Sequence, residues 1–188
     1  CRHCKAPVSI RYPLIELATM LAVLAQFNAW GVSYVTVPVL LAVPFLIAAL
    51  VIDWDFMILP DDTNIALSIL ALAYVALRHV TGESGALDSI AAACLLTGLL
   101  WAVSLGVSRW KGRPALGAGD LKFLPAAGLF LGTAALPSYL AVSGALGIAT
   151  ALLARKKQDK QAFPFGPALI ISLYIHVFLT GLGFDYTW

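Results

Sequence analysis

Charged residues are scarce in this chain of 188 residues. Asp, Glu, Lys and Arg make up 12% of it, about half of the share found in soluble domains. Hydrophobic residues make up 61%, and the mean hydropathy is +0.89. The chain has no room for an independent soluble domain, and we expect no nucleic-acid partner. The composition predicts a polytopic membrane protein of the all-α class, built as a helical bundle.

Several catalytic signatures are also absent from the sequence. It contains no HExxH segment, no Ser/His pair on plausible helices and no glycine loop of the kind that cradles phosphate. These absences argue against a zinc peptidase, a serine peptidase and a nucleotide-driven machine.

Cysteine is rare, since only three are present, and they cannot form a closed set of disulfides. Cys1 and Cys4 form a CxxC pair, which is half of a four-ligand Zn²⁺ site. The other half would have to come from outside this sequence. Because the chain begins at Cys1 without a Met or a cleavage site, we expect a truncated N-terminus rather than a signal peptide.

Seven apolar runs separated by short polar turns form the main pattern of the chain, and each predicts a helix. The runs cover residues 13–30, 34–52, 64–80, 87–107, 121–135, 136–154 and 163–182. Asp61, Asp62 and Thr63 offer N-cap oxygens to the third helix. We find no repeat or low-complexity tract. The expected organisation is a short remnant, residues 1–12, followed by one transmembrane domain, residues 13–188.

Lys and Arg are distributed unequally between the two sides of such a bundle. Eleven of the twelve lie on the side that carries the N-terminus, and only Arg78 lies on the other. By the positive-inside rule the first side is cytoplasmic, and seven spans put the C-terminus outside.

Two aspartates lie at depths where carboxylates are costly. A charged side chain in a spanning segment costs about 2.5–3.5 kcal/mol on insertion scales, so it usually faces a bundle interior or a water-filled cavity. Asp53 follows a long apolar run and is expected about 10 Å inside the helix end that Pro60 imposes. Asp120 follows Gly117 and Gly119, which allow a sharp turn and the close approach of another helix. Both acids are predicted at the same membrane face.

The spacing of these acids leaves their role open. Each fits a helix cap or an interfacial polar residue as well as a catalytic acid. If Asp53 and Asp120 meet across a cleft, their repulsion would leave one carboxylate as a base for water and keep the other protonated as an acid. An aspartyl peptidase requires such a pair. Asp55 is rotated by about 200° from Asp53 on a helix, so the two cannot share one partner.

Four motifs in the same order resemble those of one family. They are Asp53 with Pro60-Asp61, Gly117-Ala118-Gly119-Asp120, the opening segment Cys1 to Leu17, and Phe163-Pro164-Phe165-Gly166-Pro167-Ala168-Leu169. The family is that of the type IV prepilin peptidases, the GxGD class of intramembrane aspartyl proteases. The resemblance spans nearly the whole chain.

This resemblance implies that Asp53 and Asp120 are the catalytic pair, supported by the motif residues Gly117, Gly119, Pro60, Asp61 and Pro167. It implies a protein of the bacterial inner membrane whose active site faces the cytoplasm. Its substrates would be prepilins or pseudopilins, cut just before their hydrophobic segment. Other partners would be the lipid bilayer and the assembly proteins of a pilus or of type II secretion.

Many family members also methylate the new N-terminus with S-adenosylmethionine, in a segment that carries a first CxxC. This sequence contains only Cys1 and Cys4, so we expect Zn²⁺ binding and methylation only with the missing cysteines. Proteolysis by two carboxylates requires no cofactor.

Lys122 follows Asp120 by two residues. It is placed to lower the pKa of an aspartate or to bind a substrate carbonyl, but its charge also fits a lipid headgroup.

Two other functions are open on the residues alone. One is an ion-coupled transporter with acids at mid-membrane, and the other is a non-catalytic scaffold of a pilus or secretion machine.

Overall fold

The computed structural model describes residues 9–82, 85–112, 116–155, 165–184 and 186. These residues form seven α-helices and no strand. The helices are α1 (Arg11–Trp30), α2 (Thr36–Phe56), α3 (Asp61–Val80), α4 (Ala86–Lys111), α5 (Ala118–Leu131), α6 (Leu136–Arg155) and α7 (Gly166–Gly181). The predicted all-α bundle is confirmed.

Four helices, α1 to α4, are long and apolar enough to cross a membrane. Shorter apolar helices cover Leu136–Leu152 and Gly166–Gly181, while α5 has 14 residues. On α1 many large apolar side chains are exposed, as expected of a surface in contact with lipid; they include Leu14, Leu17, Met20, Leu21, Leu24 and Phe27. The protein is therefore a multi-pass membrane protein.

The shortest helix, α5, lies in the centre of the bundle and packs against α3, α4 and α7. Phe123, Leu124 and Ala127 are completely buried. Pro125 lies inside α5 and cannot donate a backbone hydrogen bond to the preceding turn. Because α5 is surrounded by other helices, burial of its apolar side chains compensates for that lost bond.

Several boundaries differ from those predicted. Helix α5 begins at Ala118, not at Leu121, so Asp120 lies in its first turn. Helix α2 continues to Phe56, four residues short of Pro60, and Asp53 therefore lies in its last turn. The reason is that Met57 adopts the left-handed conformation (φ 56°) that ends helices, and the residue before a proline disfavours the helical region.

The N-cap predicted for α3 is wrong. Pro60 occupies that position with an extended backbone, and no side-chain oxygen caps the helix. Asp61 and Asp62 lie one step further, inside the first turn, where their charges interact favourably with the positive end of the helix dipole.

The contact between α4 and α5 depends on Gly128. A methyl group at this position would overlap the backbone of Ala93 and lie 2.8 Å from the carbonyl carbon of Ala92. Backbone atoms cannot move aside as a flexible side chain does, so α4 and α5 approach this closely only with glycine at position 128.

We expect Gly128→Ala to lower stability by about 1–3 kcal/mol, because overpacking would force α4 away from α5. Thermal unfolding of the detergent-solubilised protein measures the effect. Gly98→Ala is the matched control, since Gly98 lies on α4 with nothing within 4 Å of an added methyl. Equal melting temperatures for the two variants would contradict this account of the α4–α5 contact.

Candidate active site

The hydrogen bond that closes the last turn of α2 fixes the position of Asp53. The backbone N–H of Met57 donates to the carbonyl of Asp53 (2.9 Å), which closes the last turn. The Asp53 side chain points into the bundle, where only 4% of its surface is exposed. Asp55 is rotated away, as predicted, and forms an ion pair with Arg11 at the more exposed rim (2.7 Å).

Asp120 is held by the first turn of α5. Gly117 is the N-cap residue, with an extended backbone. Asp120 is the third residue of α5, and its carboxylate lies back beside Gly117, in the position of the acid of a capping box. The prediction that Asp120 itself caps the helix is replaced by this arrangement. Its exposed fraction is 8%.

Leu59 packs between the two motif segments. A methyl group on Gly119 would lie 2.8 Å from the Leu59 Cβ and 3.1 Å from the Leu59 carbonyl oxygen. The missing side chain of Gly119 thus lets the first turn of α5 lie directly on the link between α2 and α3. This contact brings Asp120 to the end of the helix that carries Asp53.

Helix α7 contributes its N-terminus to the same place. A methyl group on Gly166 would lie 2.5 Å from Oδ2 of Asp53 and 3.0 Å from Cδ1 of Leu59. Pro167 follows, buried, in the first turn of α7. The positive end of the α7 dipole therefore points toward Asp53. Phe163 and Pro164, at the start of this motif, lie outside the described residues.

The two carboxylates are close enough to interact electrostatically. Among the described residues, Oδ2 of Asp53 is buried without a hydrogen-bond partner. Two buried acids in one place, one with an unpaired oxygen, form a site that can bind water or a polar substrate group between them. Within the described part of the chain, no group of three potential ligand residues that could hold a metal ion occurs. Cys1 and Cys4, the predicted half of a zinc site, lie outside that part.

Lys122 forms an ion pair with Asp61 (2.6 Å), which joins the starts of α5 and α3. Both side chains are more than half exposed, and such pairs contribute about 0–1 kcal/mol. Lys122 therefore points to a motif residue at the rim of the site instead of to either buried aspartate.

Asn64 was missed by the sequence reasoning. It lies in the first turn of α3, is 3% exposed, and donates from Nδ2 to the carbonyl of Gly119 (3.3 Å). A polar residue at the start of an apolar run is a weak signal, because most such residues interact with solvent. Only the packing of α3 on α5 reveals its contact with the glycine before Asp120.

Comparisons with known proteins identify relatives over nearly the full chain. The sequence model of the Type IV leader peptidase family matches residues 40–152, and that of the Bacterial Peptidase A24 N-terminal domain matches residues 1–30. No solved structure matches.

Three similar curated proteins are each named prepilin leader peptidase/N-methyltransferase. Those of Neisseria gonorrhoeae and Aeromonas hydrophila are 35% identical over 93% of this chain and 60% of their own length. That of Pectobacterium carotovorum subsp. carotovorum is 32% identical over 96% of this chain and 64% of its length. The chain thus spans about three-fifths of these relatives, and it belongs to the type IV leader peptidase family.

Proposed function

We propose that this chain carries the aspartyl endopeptidase that removes the leader peptide from type IV prepilins or pseudopilins, just before their hydrophobic segment. The observation that carries the proposal is that Asp53 and Asp120 are both buried, and that the glycines beside them, Gly166 and Gly119, both pack against Leu59. Membership of the type IV leader peptidase family supports it. The names of the relatives supply the substrate class.

In the proposed reaction one aspartate takes a proton from water, and the water oxygen attacks the scissile carbonyl carbon. The other aspartate, protonated, gives its proton to the carbonyl oxygen. Collapse of the tetrahedral intermediate breaks the C–N bond. The first aspartate gives the proton that it took from water to the leaving amine, and the hydroxyl proton on the former carbonyl oxygen returns to the other aspartate. Repulsion between two close carboxylates supports this division of roles, because it disfavours a state in which both are charged.

The surroundings of the pair are suited to that chemistry. The Asp120 carboxylate lies beside Gly117 and the Asp53 carboxylate beside Gly166, so backbone without a side chain borders each acid. The unpaired Oδ2 of Asp53 is an acceptor for the attacking water. Orientation by rigid groups contributes to rate because the reacting atoms meet without further ordering.

The proposed location is the bacterial inner membrane, with the active site at the cytoplasmic side and the C-terminus outside. The distribution of Lys and Arg supports this orientation. Besides its substrates, we expect the bilayer and pilus or secretion assembly proteins as partners. We assign S-adenosylmethionine-dependent methylation, and Zn²⁺ binding through Cys1 and Cys4, only to a chain that also carries the first CxxC.

Asp53→Asn and Asp120→Asn should each lower the rate of prepilin cleavage by about 10³-fold or more, because each removes the acid or base on which proton transfer depends. Cleavage of a purified prepilin by the reconstituted enzyme measures this. Asp62→Asn is the matched control, since Asp62 is an exposed acid in the first turn of α3, and it should cleave at the wild-type rate.

The same variants separate the other two functions. Normal cleavage by either catalytic-site variant would reject the aspartyl mechanism. Loss of pilus or secretion assembly without any cleavage by the wild type would indicate a scaffold. Ion-coupled uptake into proteoliposomes that depends on both acids, again without cleavage, would indicate a transporter.

Gly166→Ala should lower the cleavage rate by about 10²-fold with little change in stability, since an added methyl would displace the flexible Asp53 carboxylate rather than backbone. Rate and thermal unfolding are measured on the same preparation. Gly144→Ala is the control, because Gly144 lies in α6 with nothing near an added methyl. Wild-type activity of Gly166→Ala would contradict the proposed placement of Asp53.

A further inference from the structure

Asn64 has a fixed orientation in the buried region beside Asp120. Its Nδ2 donates to the Gly119 carbonyl oxygen (3.3 Å). The reversed side-chain amide would place two oxygens face to face, with no proton between them, so the assignment of nitrogen and oxygen follows from chemistry. The Oδ1 atom is therefore directed away from Gly119.

This Oδ1 atom is buried and has no hydrogen-bond partner among the described residues. The whole side chain is 3% exposed, so bulk water does not satisfy it. A buried acceptor left without a donor costs about 1–3 kcal/mol, and native structures rarely leave one so. The site thus contains two unpaired buried acceptors, Asn64 Oδ1 and Asp53 Oδ2.

Both acceptors belong to segments that meet at one place. Asn64 bonds to Gly119, Gly119 contacts Leu59, and Leu59 reaches Gly166, against which Asp53 packs. Acceptors of this kind need donors, and an extended peptide offers one main-chain N–H at each residue. A substrate peptide that reaches Asp53 and Asp120 would bring such donors to this region.

We propose that Asn64 binds the substrate main chain: its Oδ1 accepts a hydrogen bond from a peptide N–H close to the scissile bond. The proposal rests on the peptidase function proposed above. Asn64 is then a substrate-binding residue: its Nδ2 donates to the Gly119 carbonyl, and its Oδ1 accepts from the peptide.

A double-mutant cycle tests this contact, with one change at Asn64 and the other at a single amide of the substrate. Synthetic substrates span the leader and the first residues of the hydrophobic segment, and each replaces one amide near the cut by an ester, which removes a single N–H. The scissile amide itself is kept. The full chain, wild type and Asn64→Ala, is assayed for kcat/KM on the amide peptide and on every ester.

We expect Asn64→Ala to lower kcat/KM on the amide peptide roughly ten-fold, the ratio that one neutral hydrogen bond of about 1.4 kcal/mol supports. One ester should lower the wild-type value by a similar ratio, but leave the value of Asn64→Ala unchanged within a factor of two. At that position the losses in kcat/KM from the ester and from Asn64→Ala do not add, which identifies the N–H that donates to Asn64 Oδ1.

Additive losses at every ester position would overturn the proposal and would mean that Oδ1 pairs with a resident water or serves packing alone. A wild type that cleaves none of the peptides would instead reject the peptidase function. If Asn64→Ala does not fold, Asn64→Ser takes its place in the same measurements of kcat/KM, because the serine hydroxyl is too short to reach the peptide.

Thr36→Val is the matched control. Thr36 Oγ1 is also a buried oxygen without a partner among the described residues, but it lies 17 residues before Asp53 on α2, about 25 Å away along the helix. This variant should show wild-type kcat/KM and the wild-type response to every ester. A ten-fold loss in it would show that any buried polar deletion lowers activity, and would overturn the assignment to Asn64.

Discussion

The close approach of three backbone segments around Leu59 is the contact on which the site depends. The α2–α3 link, the first turn of α5 and the N-terminus of α7 meet there, and no added methyl fits at Gly119 or Gly166. Because these glycines lack a side chain, the backbone of α5 approaches Leu59 directly, and the backbone of α7 approaches both Leu59 and the Asp53 carboxylate. The geometry of the acids is thus determined largely by the packing of Leu59 against Gly119 and Gly166.

Burial of two carboxylates would be unfavourable without compensation. Here the N-terminal ends of α5 and α7 supply partial positive charge. The ion pairs Arg11–Asp55 and Lys122–Asp61 lie at more exposed positions, where screening leaves them small contributions. They join neighbouring helix ends at the rim, while the buried site depends on backbone groups.

The central position of α5 explains how a short helix can carry such a site. Helix α1 exposes most of its apolar side chains, whereas α5 is surrounded by α3, α4 and α7. Its close contact with α4 at Gly128 fixes its last turn, and the contact of Gly119 with Leu59 holds its first turn in place. A rigid element is better suited than a loop to keep two carboxylates in a fixed arrangement.

The sequence by itself determined the all-helical class, the seven helices, the opposite directions of Asp53 and Asp55, and the two acids as the candidate pair. These follow from hydropathy, helical periodicity and the high cost of charge in a bilayer, which are local or one-dimensional properties. The resemblance of the motifs to those of the family suggested the reaction that we propose. The helix ends were less well predicted: α2 ends at Phe56, with Met57 as its cap, before the chain reaches Pro60, and α5 starts at Ala118.

Only the tertiary structure decided which groups meet the acids. The contact of Leu59 with Gly119, of Gly166 with Asp53, and of Asn64 with the Gly119 carbonyl each joins residues that are 55 to 113 positions apart in the chain. No periodicity encodes such pairs, because they arise from how α3, α5 and α7 pack on one another. The unpaired oxygens of Asp53 and Asn64 are visible for the same reason, since a buried acceptor is recognised only once all its neighbours are known.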